Sequence, residues 1–316
     1  MAPSNKLPPS IVIGNFKVMH RPEGLYQTTK ARLAQQGFQL EETTHFLLAR
    51  PADTDRVILV HRFLPTEVDN NLVDCLMQEL PGLMTSDQAF GHAMIGVVNS
   101  IKPHDPVGAW SIFSLNTLQR FRDYLAENTL QYPQTTIGAC ATVYRRLFSL
   151  KIGAGLLDVG CACAFWPVLV AERDPDAHGS IVGVDNRLDA IHLSQHMAAL
   201  IDKPDLRFLQ LDLLSPQFIE ELETFDTVTA IHILEHLPEE QLSLAFKHLL
   251  HVTRHRLIVA VPYEAEATRA YGHEQVFTRE KLERWGKWCV ESMRGAGQYW
   301  CEEVAGGLLV VDQLPS

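Results

Sequence analysis

Hydrophobic and polar positions change their rhythm about halfway along the chain. From Gly155 onward, short apolar runs alternate with helix-period segments: 156–159 then 165–172, 180–184 then 188–201, 207–211 then 217–222, 225–231 then 239–252, and finally 256–261. Runs of this kind require parallel strands joined by helical crossovers, hence a doubly wound sheet whose ligands sit at the carboxyl ends of its strands. A helical run at 282–289 and two strand-like runs at 297–304 and 306–313 follow. The last two predict an antiparallel hairpin around Ala305-Gly306-Gly307 that finishes the sheet. Before residue 150 the pattern is less regular. A short amphipathic helix is expected at 25–38. Apolar runs at 44–50 and 56–63 flank Pro51-Ala-Asp-Thr-Asp55 as a β-hairpin would, and helical periods recur at 71–80, 88–99 and 114–125. Segment 136–150 reads as one more helix with Ala141, Val143, Tyr144, Leu147 and Phe148 on one side. The expected division is a small α+β domain of unknown role over 1–112, a helical connector and lid over 113–150, and the doubly wound domain over 151–316.

Composition narrows the partners. A chain of 316 residues is about two domains long, and 46% hydrophobic with 21% charged residues excludes disorder as its main state. The formal charge of −11, with no Lys/Arg stripe to reverse it locally, argues against nucleic acid as a partner. The six cysteines, Cys75, Cys140, Cys161, Cys163, Cys289 and Cys301, form neither a disulfide framework nor a CxxC pair, which fits a reducing, cytoplasmic home. No apolar stretch of about 18 residues occurs, so no membrane association is expected, and the Pro/Ser-rich start is expected to fray. A homodimer is left open. In the first half, His61, His92, His104 and Asp105 stand at no spacing that implies one chemistry, and they are expected to be solvent-facing or satisfied core residues.

The chemistry gathers at the strand ends of the second half. The first strand closes on Asp158-Val-Gly160-Cys161-Ala162-Cys163-Ala164, a small-residue turn that lets backbone N–H groups approach a ligand at a helix N-terminus. The second closes on Asp185, where a carboxylate can accept both hydroxyls of a ribose. The third closes on Asp212, which can accept the amino group of an adenine ring. After the fourth strand the chain reads His232-Ile-Leu-Glu235-His236, and Tyr271-Gly-His273 follows the fifth.

The segments LLDVGCACA, IVGVD, FLQLD, FDTVTAIHILEHL and IVAVPYE resemble the ordered motifs of class I S-adenosylmethionine-dependent methyltransferases. The LEHL segment is similar to the ubiquinone-biosynthesis O-methyltransferases and related small-molecule enzymes. The resemblance covers roughly 153–313 and implies a seven-stranded Rossmann-like sheet with an antiparallel last strand. Carried over by position, it implies that Asp158 and the backbone of Gly160, Cys161 and Ala162 hold the methionine portion of the cofactor. Asp185 with Asn186 would hold the ribose, Asp212 with Leu213 the adenine, and His232 would face the methyl donor or the acceptor. Ala162 and Ala164 stand where glycines are most common in the family; a methyl at either position is penalised wherever φ is positive.

Methyl transfer to a small-molecule hydroxyl is the expected reaction, with His236, His273 and His232 as the candidate catalytic residues, since an imidazole can accept the proton of an attacking alcohol or phenol. Two other classes stay open: a nicotinamide oxidoreductase, which would use the same turn and the same acid, and a non-catalytic methyltransferase-like scaffold. The order His-x-x-Glu-His also permits metal ligation, because some ubiquinone-type relatives carry Glu-x-x-Glu-His linked to a divalent ion; no metal is included in the main expectation.

Overall fold

The computed structural model describes residues 10–51, 56–127, 134–173 and 180–314. The fraying expected of the first residues and the turn at 52–55 lie outside these. The described chain divides into two units. The first comprises residues up to Arg120 together with Thr135–Ile137 and Arg269–Tyr271, and the second comprises the rest.

In the first unit, β1 (Ile11–Ile13), β2 (Phe16–His20), β3 (Gln39–Glu42), β4 (Phe46–Arg50) and β5 (Val57–His61) make one sheet in the order β1-β2-β5-β4-β3. The pair β2 and β5 is parallel and the others are antiparallel. Strands β4 and β5 are the hairpin anticipated from their apolar runs; β1, β2 and β3 are additional. Helix α1 (Glu23–Gln35) turns Tyr26 and Leu33 inward, where they pack with Met19, Leu47, Ala49, Ile58 and Val60. Helices α2 (Leu72–Glu79) and α3 (Asp87–Ile101) follow, the latter started by Ser86, whose hydroxyl accepts the Ala89 N–H at 3.2 Å. Helix α4 (Pro106–Ala126) starts earlier than its apolar period suggests, at a proline suited to a first helical turn. Helix α5 (Thr136–Phe148) is the segment anticipated before the second sheet. Both α4 and α5 cross the division between the units.

The second unit is the doubly wound sheet. Its strands are β6 (Leu156–Val159), β7 (Ile181–Asp185), β8 (Arg207–Gln210), β9 (Phe225–Ile231), β10 (Thr253–Val261), β11 (Gly297–Glu303) and β12 (Gly307–Gln313), in the order β11-β12-β10-β9-β6-β7-β8. Strands β8, β7, β6, β9 and β10 run parallel, while β12 enters antiparallel between β10 and β11. The strands alternate with α6 (Phe165–Arg173), α7 (Leu188–Leu200), α8 (Pro216–Glu221), α9 (Leu242–Val252) and α10 (Arg279–Ser292). All four residues of β6 and all five of β7 are buried, as a parallel sheet covered on both faces requires. Leu157, Val159, Val228, Leu257, Val259, Leu309 and Val311 belong to one core with Phe246, Leu249 and Phe218 from the helices. This register brings the carboxyl ends of β6, β7, β8, β9 and β10 to one rim.

Candidate active site

The turn after β6 is tied to β7 by its backbone. The N–H groups of Gly160 and Cys161 both donate to the Val184 carbonyl, at 2.7 and 3.0 Å, and Ala164 N–H donates to the Cys161 carbonyl at 2.7 Å. Gly183 lets Cys161 lie against the strand, since a Cβ there would stand 2.9 Å from the Cys161 sulfur and 2.8 Å from Phe208. Ser194, on α7, donates to the Ala162 carbonyl at 2.6 Å. Gly160, Ala162 and Ala164 all have positive φ, of 75°, 45° and 60°. The turn therefore keeps a left-handed course even where alanine replaces glycine, at a cost of roughly 1–2 kcal/mol for each alanine. Gly160 also lies under Ile233, whose Cδ1 would be 1.8 Å from an added Cβ.

Asp158 pairs with Thr229 across the β6–β9 register, and the Thr229 hydroxyl donates to its carboxylate at 2.7 Å. The Asp158 carboxyl is nonetheless pushed up to about 7: burial is the main cause, the Thr229 hydrogen bond opposes it, and the charge of Asp185 adds to it. At the end of β7, Asp185 is buried. Its carboxylate accepts the Ala162 N–H at 3.1 Å and the Arg187 N–H at 3.0 Å, so it joins the first turn to the second. Asn186 is exposed, and its carbonyl accepts from Gln210. Asp212 is also exposed and accepts the Leu214 N–H at 2.9 Å; the buried Leu213 offers its carbonyl to His248 Nδ1 at 2.7 Å. Carboxylates at three neighbouring strand ends suit an ammonium group and the hydroxyls of a nucleoside. Two of them, Asp158 and Asp185, repel each other, and the Arg187 guanidinium stands 3.7 Å from the Asp185 carboxylate.

The second half of the rim is built from side chains. His232 continues the β9–β10 pairing through its N–H to the Ala260 carbonyl at 2.9 Å, then takes φ 55° and turns the chain. A short 3-10 turn at Leu234–His236 follows. Glu235 is 1% exposed; one carboxylate oxygen meets His232 Nδ1 at 3.2 Å, and the other has no hydrogen-bond partner. His236 Nδ1 lies 3.2 Å from the Gly272 carbonyl, and its ring stands edge-on to His273 with centroids 4.9 Å apart. His273, buried, is held by Glu264 at 2.7 Å from Nδ1. Burial works against ionisation of Glu264, but hydrogen bonds from Thr268 and His273 hold its carboxyl below the ordinary value. Desolvation lowers the His236 imidazole against the opposing charge of Glu235, leaving it a neutral acceptor near pH 7. Donor atoms of Glu235, His236 and His273 all lie within 4.8 Å of one another.

Every residue named from the sequence for the rim is thus placed, with His236 and His273 in one cluster and His232 reaching it through Glu235. Glu264, Thr229 and His248 were not singled out. Glu264 stands inside the IVAVPYE segment and Thr229 inside FDTVTAIHILEHL, so a polar residue within a strand-end motif is the signal for both; His248 stands in neither. In the first unit His61 is buried, with its Nε2 2.6 Å from the Ser100 hydroxyl, while His104 and Asp105 are exposed.

Residues 156–256 match the profile of the methyltransferase domain family. Among solved structures, the chain is similar to the methyltransferase domain of a bacterial Hen1, at 20% identity over 55% of this chain and 96% of that one, with a TM-score of 0.43. It is similar to magnesium protoporphyrin IX methyltransferase from Synechocystis PCC 6803 with bound S-adenosylhomocysteine, at 12% identity over 62% and 93%, TM-score 0.42. A third is the small RNA methyltransferase HEN1, at 17% identity over 60% and 27%, TM-score 0.48. No curated protein matches. The strand order, with β12 antiparallel inside the sheet, and the family match define the second unit as a class I methyltransferase domain. The second unit thus carries a methyltransferase domain of the S-adenosylmethionine-dependent kind. The match is to the domain as such and does not single out the ubiquinone-type branch. Among the described residues no helix is long and apolar enough to cross a membrane.

Proposed function

We propose that the second unit methylates a hydroxyl group of a small molecule, with the acceptor's proton taken at the cluster of His236 and His273. The observation that carries this reading is the convergence of Glu235, His236 and His273 at the strand-end rim. Asp158 and the Gly160–Ala162 turn would hold the methionine portion of the cofactor, Asp185 and Asn186 the ribose, and Asp212 and Leu213 the adenine. When bound, S-adenosylmethionine supplies an electrophilic methyl group for an in-line displacement. The protein's part is to align and to move a proton. Glu264 fixes the His273 ring by taking its Nδ1–H, which leaves Nε2 to accept a proton; the ion pair then formed with Glu264 stabilises the imidazolium. His236, kept neutral, is the second acceptor.

A divalent cation at the same cluster is the second reading, favoured by one observation. A buried carboxylate oxygen with no partner is costly; Glu235 has one, and its carboxylate stands within 4.8 Å of donor atoms of two histidines. Glu235, His236 and His273 would then be ligands, and Glu264 would orient His273 from behind. Both readings are tested by following methyl transfer from labelled S-adenosylmethionine to a panel of phenols, alcohols, amines and thiols, with and without EDTA. Transfer to hydroxyls that EDTA leaves untouched supports the histidine reading. Loss on chelation with recovery on Mg²⁺ or Zn²⁺ supports the cation, and transfer to amines or thiols alone overturns the hydroxyl assignment.

A further inference from the structure

A second group of metal-ligating side chains converges in the first unit, apart from the methyl-transfer chemistry. A ring nitrogen of His45, the sulfur of Cys75 and a carboxylate oxygen of Glu79 all lie within 4.8 Å of one another. We propose that His45, Cys75 and Glu79 bind a borderline-soft divalent cation of the zinc type, which ties α2 to the start of β4.

The local structure prepares these donors. Cys75 and Glu79 are four residues apart on α2 and so share a helix face. His45 immediately precedes β4, and Glu79 already holds it twice: one oxygen accepts the His45 backbone N–H at 2.9 Å, and the other meets Nδ1 in close contact. Phe63 lies flat against the imidazole, with centroids 5.0 Å apart and planes 10° from parallel, which sets the ring orientation before any ligand arrives. All three residues are partly exposed, so an ion can enter.

Charge and chemistry select the ligand. The acidic side chains of Glu79 and Asp74 lie near the Cys75 sulfur and favour a cation there. Binding breaks the S–H bond, the proton leaves to solvent, and the sulfur lone pair joins the metal; nothing is oxidised or reduced. Tetrahedral zinc, with bonds of about 2.0–2.3 Å, holds its donors about 3.3–3.8 Å apart, so the close contact of His45 Nδ1 with Glu79 opens to admit the ion while the three donors stay within their present 4.8 Å of one another. Sulfur, imidazole and carboxylate together form a zinc-type set, whereas magnesium or calcium would take oxygens only. A hydrogen-bonded clamp would need His45 and Glu79 but has no use for the thiol.

Cobalt(II) distinguishes the two. Titrated into the reduced full-length protein, it should give one equivalent of sulfur-to-cobalt charge-transfer absorption, bleached by Zn²⁺ and absent from Cys75→Ala. Glu235, His236 and His273 contain no sulfur and cannot contribute to that band. Zn²⁺ affinity should fall by about a hundredfold or more in Cys75→Ala and in His45→Ala, at least the loss typical of disturbing a ligand's supporting shell. Cys75→Ser, which keeps a donor of similar size, repeats the measurement should the alanine variant fail to fold. No band in the native protein, or an equal band in native protein and in the folded Cys75 variant, would overturn the site.

Discussion

The two halves of the rim are built by different means. The turn after β6 is held through its backbone atoms: Gly160 and Cys161 donate to the Val184 carbonyl, Ala162 donates to the Asp185 carboxylate, and the Ala162 carbonyl accepts from Ser194. The region after β9 is held by side chains, His232 on Glu235 and His273 on Glu264, and it keeps ionisable atoms near one another. Under the proposed function, the contrast separates holding from reacting. Changes in the first region should act on cofactor affinity, and changes in the second on turnover.

The largest effect expected on the binding side is that of Gly160→Val. The new side chain would overlap Ile233 and would have to adopt φ near 75°, so S-adenosylmethionine binding should fall below detection by calorimetry. The counterpart on the reacting side is His273→Ala or His236→Ala. Each should lower kcat by about 10²–10⁴-fold while cofactor Kd stays within a few-fold, as expected for loss of a proton acceptor. Full turnover in both variants would reduce these histidines to structural residues and break the contrast.

Asp185→Ala should weaken S-adenosylmethionine binding by about 10–100-fold, the loss of a charged hydrogen-bond acceptor worth roughly 1.5–3 kcal/mol, while circular dichroism stays native. Asp158 makes the binding region sensitive to pH. Because its free carboxyl titrates at about 7 and a cationic ligand binds the ionised form, affinity should fall about tenfold from pH 8 to pH 6, and Asp158→Asn should flatten the profile. The sign for the free protein is opposite. A carboxyl raised in the folded state favours folding while it is protonated, and that contribution is lost as pH rises from the unfolded carboxyl range through about 7. The smallest effect belongs to Ala164→Gly: relief of the left-handed φ is offset by a freer unfolded chain, so melting should show a gain within about 1 kcal/mol.

How much of this was legible in the sequence differs between the units for a physical reason. Strands β6 and β9 begin and end where their predominantly apolar runs do, because a parallel strand covered on both faces is apolar at most positions, with Asp158 and Thr229 paired to each other where polar groups do enter. In the first unit β3 is Gln39-Leu-Glu-Glu42, an edge strand with three exposed residues, and β1 has only three residues; neither carries a pattern apart from its partner. Strand β2 pairs with β5 some forty positions later, which no local window records. The same holds for the sites. Asp158, Asp185 and Asp212 announce themselves by ending strands, whereas the pairing of Glu264 with His273 depends on the course of one loop, and that of His45 with Glu79 on a helix and a strand meeting.

The place of β12 has a consequence for how the protein is made. Strand β10 is buried from Leu257 to Val261, and its partner on one side is β12, about fifty residues further along the chain. During synthesis β10 therefore waits with a bare, strongly apolar edge until residues 307–313 have emerged. Such an edge is a template for any other nascent strand. Ribosomes stalled within that interval should yield chains that aggregate or engage chaperones, and release of the next few residues should end that vulnerability.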